Sequence, residues 1–371
     1  NAFILYEAIH IASMVVGAFS PNMDFLIACR FVMGVGLGAL LVTLFAGFTE
    51  YMPGRNRGTW SSRVSFIGNW SYPLCSLIAM GLTSLISAEW NWRVQLLIPA
   101  ILSLIATALA WRYFPESPRW LESRGRYQEA EKVMRSIEEG VIRQTGKPLP
   151  PVVIADDGKA PQAVPYSALL TGVLLKRVIL GSCVLIAMNV VQYTLINWLP
   201  TIFMTQGINL KDSIVLNTMS MFGAPFGIFI AMLVMDKIPR KTMGVGLLIL
   251  IAVLGYIYSL QTSMLLITLI GFFLITFVYM YVCYASAVYV PEIWPTEAKL
   301  RGSGLANAVG RISGIAAPYA VAVLLSSYGV TGVFILLGAV SIVVAIAIAT
   351  IGIETKGVSV ESLSIDAVAN K

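Results

Sequence analysis

Long apolar stretches constrain the fold of this chain more than any other feature. A helix of about 20 mostly apolar residues crosses a bilayer core of about 30 Å. Ten stretches reach about that length, at residues 2–19, 25–48, 59–86, 93–114, 177–204, 212–235, 242–260, 264–289, 302–327 and 331–352. Because they lack strict alternation, and because lipid does not tolerate unpaired backbone groups, we predict an all-α polytopic membrane protein with ten spanning helices.

Composition supports the membrane class and excludes several functions. Charged residues make up 12% of the chain, whereas a soluble domain carries about 25%. We assign the net charge of +6 to loops on the cytoplasmic side, and expect no nucleic-acid partner. The four cysteines stand singly, and no span contains paired acids or a metal-ligand cluster. The sequence therefore predicts no metal, no cofactor and no enzymatic activity.

Positive charge alternates between consecutive loops, which predicts the orientation of the chain. Basic residues concentrate after the second span, between the fourth and fifth, after the sixth and after the eighth. The intervening loops carry only Arg93 and Lys211. Since basic loops stay in the cytoplasm, we expect both termini of this chain on that side.

One long polar segment, residues 115–176, divides the chain. It begins with an amphipathic helix predicted from Arg126 to Ile142 and continues into a proline-rich linker. We therefore predict an N-terminal bundle at 1–114, a cytoplasmic helix and linker at 115–176, a six-helix C-terminal bundle at 177–352 and a cytoplasmic tail at 353–371.

A charged loop occurs twice, which indicates an internal duplication. Glu50 and Glu292 each precede a proline by three residues, and each is followed by an Arg-Gly pair. The two glutamates are 242 residues apart, and Glu116 and Glu354 are 238 apart. An offset near 240 predicts two parallel repeats, of which the first has four spans here. We therefore expect two further spans encoded upstream of residue 1, giving a twelve-span protein.

Five motifs stand in order at the ends of the apolar stretches. They are Arg30-x-x-x-Gly34-x-Gly36-x-Gly38, Glu50-x-x-Pro53-x-x-x-Arg57-Gly58, Pro115-Glu-Ser-Pro-Arg-Trp-Leu121, Pro291-Glu-Ile-Trp-Pro-Thr296 with Arg301-Gly302, and Glu354-Thr-Lys-Gly357. Together they resemble the major facilitator superfamily, close to its sugar-porter branch and to bacterial metabolite:proton symporters. The resemblance implies a monomer in the bacterial inner membrane that binds a small-molecule substrate and protons, and exposes its site alternately to either side of the bilayer.

Two departures from the sugar-porter pattern bear on the substrate. Sugar porters usually carry a Gln-Gln pair and Gly-x-Asn on their seventh helix, where this chain has the run from Asn189 to Pro200. They also tend to have Gly-Pro and Trp where this chain has the run from Tyr279 to Ala287. We expect an organic or aromatic acid, or a related metabolite, taken up with protons. The alternatives are a sugar or polyol symporter or facilitator, and a transporter-like sensor that does not transport.

Polar side chains on one face of residues 177–204 are candidates for the substrate site. Asn189, Tyr193 and Asn197 are spaced four residues apart, with Gln192 beside them. Contacts between helices would also explain amides in a span. Further candidates for the same cavity are Asn69, Tyr72, Tyr281 and Tyr284, since aromatic walls with a few hydrogen-bonding groups are typical of small-molecule sites.

Four of the ionisable residues within predicted spans invite functional roles. Arg30 either binds substrate and, as the resemblance implies, tunes the residue that carries the proton, or it extends to the interface. Glu7 and His10 lie three residues apart and form either a proton relay or a polar packing pair. Arg311 either extends to the cytoplasm or binds an anionic substrate.

Loop charges form the last set of candidates. By resemblance they belong to a latch that closes the cytoplasmic side, and the alternative is a set of solvated charges. The set comprises Glu50, Arg57, Glu116, Arg119, Asp236, Arg240, Glu292, Glu297, Arg301 and Glu354.

Overall fold

The computed structural model describes residues 2–50, 57–113, 115–116, 118–146, 148–149, 165–235, 237–295 and 298–356, and no strand occurs among them. The described helices are α1 (Ala2–Ala18), α2 (Met23–Glu50), α3 (Arg57–Asn69), α4 (Ser71–Leu85), α5 (Ala88–Tyr113), α6 (Pro118–Ser123), α7 (Tyr127–Thr145), α8 (Tyr166–Leu169), α9 (Gly172–Thr205), α10 (Leu210–Met221), α11 (Gly223–Val234), α12 (Arg240–Ser259), α13 (Met264–Val282), α14 (Val290–Glu292) and α15 (Lys299–Ile351). A π-helical segment, Cys283–Tyr289, joins α13 to α14.

Seven helical stretches of the described residues are long and apolar enough to cross a membrane. They are Met23–Leu40, Glu89–Tyr113, Gly172–Thr205, Leu210–Val234, Arg240–Ser259, Met264–Glu292 and Arg301–Ile351. The last contains Gly329, whose φ of 65° and ψ of −160° are not helical, so it covers two of the predicted spans. A shorter apolar helix occupies Phe3–Ala18. The all-α membrane class is confirmed, and the count of ten spans stays a prediction.

The chain divides into two compact units, the first of which comprises Asn1–Trp60 and Leu82–Gly158. Within it, Gly36 of α2 lies so close to α1 that a Cβ there would stand 3.0 Å from the backbone nitrogen of His10. Arg93 of α5 donates to the carbonyl oxygen of Ala18 at 2.7 Å and lies over the Trp92 ring at 4.5 Å. The arginine therefore ties α5 to the C-terminus of α1, where a cation is favoured by the helix dipole.

The amphipathic helix of the linker begins at Tyr127 and ends at Thr145. It stops at Gly146, whose φ of 64° is the left-handed conformation that glycine adopts without strain, and whose N–H donates to Ile142. Its polar face is supported by an Arg126–Glu129 pair. The helix therefore extends slightly beyond the predicted end at Ile142.

The second unit comprises Ser61–Gly81 and Lys159–Lys371 and contains a continuous buried core. Its central helix is α9, most of whose residues are buried. Small residues let the helices of this unit approach closely: a Cβ at Gly223 or Gly227 would overlap the backbone of α13 at Phe272 or Thr276. Helices in a membrane associate through such close packing because lipid is as apolar as their side chains.

The repeated charged loop holds its tryptophan inside this core. Trp294 is 1% exposed, and a Cβ at Gly181 of α9 would lie 3.7 Å from its ring. A Cβ at Gly302 of α15 would overlap the same ring. The glycine of the Arg301-Gly302 pair is therefore required where α15 starts, because the loop packs its tryptophan against that turn.

This contact yields a stability prediction with a built-in control. Gly302→Ala should lower the free energy of unfolding by about 1–3 kcal/mol, the usual cost of overpacking a core. Gly304→Ala, two residues along the same helix with nothing within 4 Å of its added Cβ, should not lower it and should raise it by up to about 1 kcal/mol, because alanine is favoured over glycine inside a helix. Thermal unfolding of the purified variants in detergent measures both. Equal melting temperatures for the two variants would contradict the assigned role of Trp294.

Candidate functional site

A polar stripe on α9 forms the base of the candidate site. Asn189 is 2% exposed and Gln192 is 9% exposed. The Nδ2 group of Asn189 donates to the carbonyl oxygen of Leu185 in its own helix at 2.7 Å, and its Oδ1 has no hydrogen-bond partner among the residues described. The stripe therefore retains a buried acceptor that α9 itself does not use.

Tyr193, one turn further along α9, meets α15 at Arg311. An Nη1 group of Arg311 donates to the Tyr193 hydroxyl oxygen, and the guanidinium lies 6.0 Å from the centre of the tyrosine ring. A Cβ at Gly314 would lie 3.1 Å from that ring, so the glycine admits Tyr193 against α15. The Arg311 side chain itself is exposed.

Two further tyrosines complete the site. The rings of Tyr72 on α4 and Tyr279 on α13 meet edge to face, with centroids 5.0 Å apart and planes at 63°. The Tyr72 hydroxyl interacts electrostatically with Tyr193 and with the Arg311 guanidinium. Tyr279 in turn lies beside Gln192. Aromatic walls, one amide and one guanidinium thus converge within the second unit, which is the composition of a site for a small organic molecule.

The structure brings together some of the sequence candidates and separates others. Tyr72, Gln192 and Tyr193 lie together, with Asn189 adjoining. Tyr281 and Tyr284 do not join them, and burial is not the reason, since Tyr279 is as buried as they are, at 1% exposed.

Local geometry explains where those two tyrosines lie. The Tyr281 hydroxyl donates to the carbonyl oxygen of Val184 at 3.1 Å. Tyr284 stacks on Tyr289, with ring centroids 5.1 Å apart. Tyr281 lies in α13 two residues from Tyr279 and therefore on the opposite side of that helix. Tyr284 lies in the wide turns that start at Cys283, where positions no longer follow α-helical spacing. Tyr279 takes the place at the site, and the aromatic run from Tyr279 to Tyr284 was the only signal for it in the sequence.

Two predicted amides also lie elsewhere. The Nδ2 group of Asn69 donates to the carbonyl oxygen of Ser65, four residues earlier in α3, at 2.7 Å. Asn197 is exposed on α9 beyond Tyr193. Among the described residues, neither amide bonds a tyrosine of the site.

In the first unit, Glu7 and His10 occupy different environments. Glu7 is 5% exposed, and its Oε2 has no hydrogen-bond partner among the described residues. The His10 Nδ1 lies 3.3 Å from the carbonyl oxygen of Met33 on α2. The imidazole thus interacts with the neighbouring helix, while the carboxyl of Glu7 stays enclosed. Arg30 is exposed on α2.

A cluster of charges surrounds Arg240 at the start of α12; we call Arg240, Glu292, Glu354 and Thr355 the Arg240 cluster. Arg240 donates from Nε and Nη2 to the two carboxylate oxygens of Glu292, at 3.1 and 3.2 Å, and from Nη1 to the Met235 carbonyl. The Thr355 hydroxyl donates to Glu292 at 2.6 Å. This bidentate pair joins α12, α14 and the segment after α15.

Glu354 caps α12 from outside the helix. Its Oε1 accepts from the backbone N–H of Arg240 at 2.7 Å and its Oε2 from that of Lys241 at 3.1 Å. Burial acts to raise the pKa of Glu354, but the backbone donors of Arg240, Lys241 and Lys356, with the Arg240 charge, outweigh it and hold the pKa below its ordinary value. The carboxylate therefore satisfies N–H groups that a helix N-terminus leaves unpaired.

The other candidate loop charges are only partly described. The guanidinium carbon of Arg301 lies 5.2 Å from the centre of the Tyr166 ring of α8. Glu116 interacts electrostatically with Arg126. Asp236 and Glu297 fall outside the described residues, as do the side chains of Glu50, Arg57 and Arg119. In the part of the chain that the structure describes, no group of three or more His, Cys, Asp or Glu side chains could hold a metal.

Comparison with known proteins places this geometry in context. Residues 5–318 match the family model described as Major Facilitator Superfamily. The chain is 45% identical to the inner membrane metabolite transport protein YdjE of Escherichia coli K12 over 94% of this chain and 76% of that protein. It is 27% identical to the niacin transporter NiaP of Acinetobacter baylyi over 94% and 77% of the two chains.

Solved structures show the same fold at lower identity. The proton:xylose symporter XylE bound to 6-bromo-6-deoxy-D-glucose superposes with a TM-score of 0.67 at 19% identity, covering 98% of this chain and 82% of that one. An inward-open form of XylE from E. coli superposes with a TM-score of 0.70 at 17% identity, covering 98% and 81%. At these identities the likeness concerns the fold.

The capping role of Glu354 generates a pH prediction. Because the folded pKa is lowered, the stabilisation is fully present above the ordinary glutamate value near 4.5 and is lost as pH falls through the folded pKa. Below the folded pKa of Glu354, hydrogen exchange corrected for intrinsic rates should show that the backbone amides of Arg240 and Lys241 lose protection worth about 0.5–2 kcal/mol.

Glu354→Ala supplies the matched comparison. In this variant the same amides should exchange fast at neutral pH already, with no further change on acidification, while amides in the middle of α12 behave as in the wild type. First-turn protection that survives in Glu354→Ala at pH 7 would refute the cap.

Proposed function

Because this chain belongs to the Major Facilitator Superfamily, we propose that it takes up a small organic acid, preferably an aromatic one, together with protons by alternating access. Metabolite transport in the inner membrane is the coarser activity that its relatives share, and members of this family are generally not enzymes. The proposal concerns the class of solute, the coupling to protons and the residues involved.

The observation that carries the proposal is the edge-to-face pair of Tyr72 and Tyr279 beside Gln192 and Tyr193. The Tyr279 ring is buried behind Tyr72, with 5.0 Å between the ring centroids, whereas Tyr72 is partly exposed. Tyr72 therefore offers the apolar surface, and an aromatic partner is favoured in a stacked or edge-on arrangement against it. The adjoining amide and phenol supply hydrogen bonds that orient a polar substituent. The relative named as a niacin transporter handles an aromatic acid of this kind.

A sugar or polyol is the alternative solute. The fold is shared with the xylose symporter, and amides such as Asn189 and Gln192 can bond hydroxyl groups. We favour the acid because a guanidinium, Arg311, adjoins the tyrosines, whereas a sugar carries no charge to match it. Transport assays that include both classes of solute decide between them.

The test of this proposal is uptake into proteoliposomes. With an imposed pH gradient, acid outside, the full-length protein should raise the initial rate of uptake of radiolabelled benzoate or nicotinate several-fold above that of vesicles without protein, which measure the passive entry of the protonated acid. Vesicles at equal pH on both sides should only equilibrate. Accumulation of xylose with no uptake of either acid would replace the acid by the sugar, and equal uptake with and without the gradient would reduce the protein to a facilitator.

We propose that Glu7 carries the proton, with His10 and Arg30 tuning it. Glu7 is enclosed, with one carboxyl oxygen unbonded among the described residues. An uncompensated charge is costly in such surroundings, so gain and loss of a proton would change the stability of the state that encloses it. This is the property that coupling requires.

A substitution separates coupling from transport. Glu7→Gln should abolish accumulation driven by the pH gradient and leave exchange of labelled for unlabelled solute near the wild-type rate, because exchange needs no net proton movement. Glu89→Gln, at an exposed position at the start of α5, is the control and should retain both activities. Gradient-driven accumulation by Glu7→Gln would remove Glu7 from the coupling mechanism.

We further propose that the Arg240 cluster belongs to a latch that favours one of the two access states. A single exposed ion pair contributes little, but the Arg240 side chain is only 7% exposed and bonds Glu292 in bidentate fashion. Several such bonds together can bias an equilibrium between two states by a few kcal/mol. The remaining predicted latch residues are Glu50, Arg57, Glu116, Arg119, Asp236, Glu297 and Arg301.

A further inference from the structure

Arg311 is a charged residue deep within a spanning helix. It is the thirteenth residue of α15, and a rise of 1.5 Å per residue places it roughly 18 Å from Lys299. The hydrocarbon core of a bilayer is about 30 Å thick, so the backbone of Arg311 lies near mid-depth. Ionisable residues at such positions are costly and pair with one another or with a ligand.

The partner of Arg311 in this structure is neutral. Its guanidinium donates to the Tyr193 hydroxyl, and in the part of the chain that the structure describes it forms no ion pair with a carboxylate. Arg240 in the same unit differs, because its guanidinium bonds both carboxylate oxygens of Glu292. None of the described residues therefore balances the positive charge of Arg311.

The direction of the side chain argues against simple extension to the interface. A snorkelling arginine points along its own helix towards the nearer end. Arg311 instead reaches sideways and donates a hydrogen bond to Tyr193 on α9. Its guanidinium also interacts electrostatically with the Tyr72 hydroxyl of α4. The guanidinium therefore faces the tyrosine walls of the candidate site.

Packing on both sides of Arg311 fixes this direction. A Cβ at Gly310 would lie 2.8 Å from the Cβ of Leu185 and 2.9 Å from Nδ2 of Asn189. A Cβ at Gly314 would lie 3.1 Å from the Tyr193 ring. Two glycines that flank the arginine therefore bring α15 into contact with α9 just where the guanidinium emerges.

We propose that Arg311 binds the carboxylate of the transported acid, which makes it the residue that selects acids over their neutral analogues. A guanidinium offers two parallel N–H donors that match a carboxylate, with higher strength than bonds between neutral groups. Tyr193 acts as a positioning residue, and Tyr72, which packs on the buried Tyr279 ring, lies against the ring of the solute. This inference rests on the proposed function, of which it specifies the charged contact.

The test compares solutes that differ in charge and hardly in shape. Benzoate with benzamide, and nicotinate with nicotinamide, are the probes, and equilibrium binding to the purified full-length protein is the measurement. Wild-type protein should bind at least one acid more tightly than its amide. Arg311→Gln should weaken binding of that acid about tenfold or more, the scale of a charge-assisted hydrogen bond, and leave the amide unchanged.

Three further variants separate charge from folding. Arg311→Lys keeps the positive charge but not the two parallel N–H donors, so it should lose less affinity for the acid than Arg311→Gln does. Tyr193→Phe removes only the hydroxyl and should weaken binding of the acid by a smaller factor than Arg311→Gln does. Lys299→Gln removes an exposed positive charge from the same helix and should bind both probes as the wild type does.

The outcomes distinguish this inference from the transport proposal. Wild-type affinity of Arg311→Gln for the acid overturns the assignment, and so does equal affinity of the wild type for acid and amide, or binding of neither acid. If the wild type still accumulates benzoate or nicotinate under a pH gradient in those cases, the proposed function stands and only the role of Arg311 fails. If it accumulates neither acid, the proposed function itself fails.

Discussion

The close approach of α9 to α15 is the contact on which the second unit depends. Apolar helices gain little by leaving lipid for one another, so they stay together only where backbones can approach and side chains fit. Here Gly181 admits Ala306 and Trp294, Gly302 admits the Trp294 ring, and Gly310 admits Leu185. The same line of contacts carries Asn189, Tyr193 and Arg311. Packing residues and candidate site residues therefore share one interface, and a change in one of them acts on the others.

The sequence predicted the features that depend on composition and on local pattern. Apolar length predicted the helices, and five short motifs predicted the family, which is confirmed. The spacing of Asn189 and Tyr193 on one helix placed a polar stripe, because α-helical geometry is regular over that stretch. The stripe is visible in sequence since amides and phenols are uncommon in an otherwise apolar span.

The sequence did not identify which aromatic residues face the site, and the physical reasons are local. The π-helical turns from Cys283 change the angle between successive side chains, so periodicity could not place Tyr284. Tyr279 and Tyr281 lie on opposite sides of the regular helix α13, and the pattern alone does not tell which side meets the site. Asn69 and Asn189 each bond a carbonyl oxygen one turn earlier in their own helix, a choice that sequence does not reveal. The glutamate that caps α12 lies 114 residues away in the chain, and such long-range pairs follow from the fold alone.

The two arginines of the second unit show why charge balance is informative about function. Arg240 is enclosed and meets a carboxylate in two parallel bonds, with Thr355 bonded to the same acid. Its charge is used within the protein, as expected of a group that stabilises one arrangement of helix ends. Arg311 is exposed and bonded to a phenol, so its charge is available to a partner that is not part of these helices. A membrane protein retains an unbalanced charge at depth only at a cost, and a substrate that brings the balancing charge recovers that cost each time it binds. The position of Arg311, between two contact glycines and facing three tyrosines, therefore links the packing of the helices to the selection of the solute.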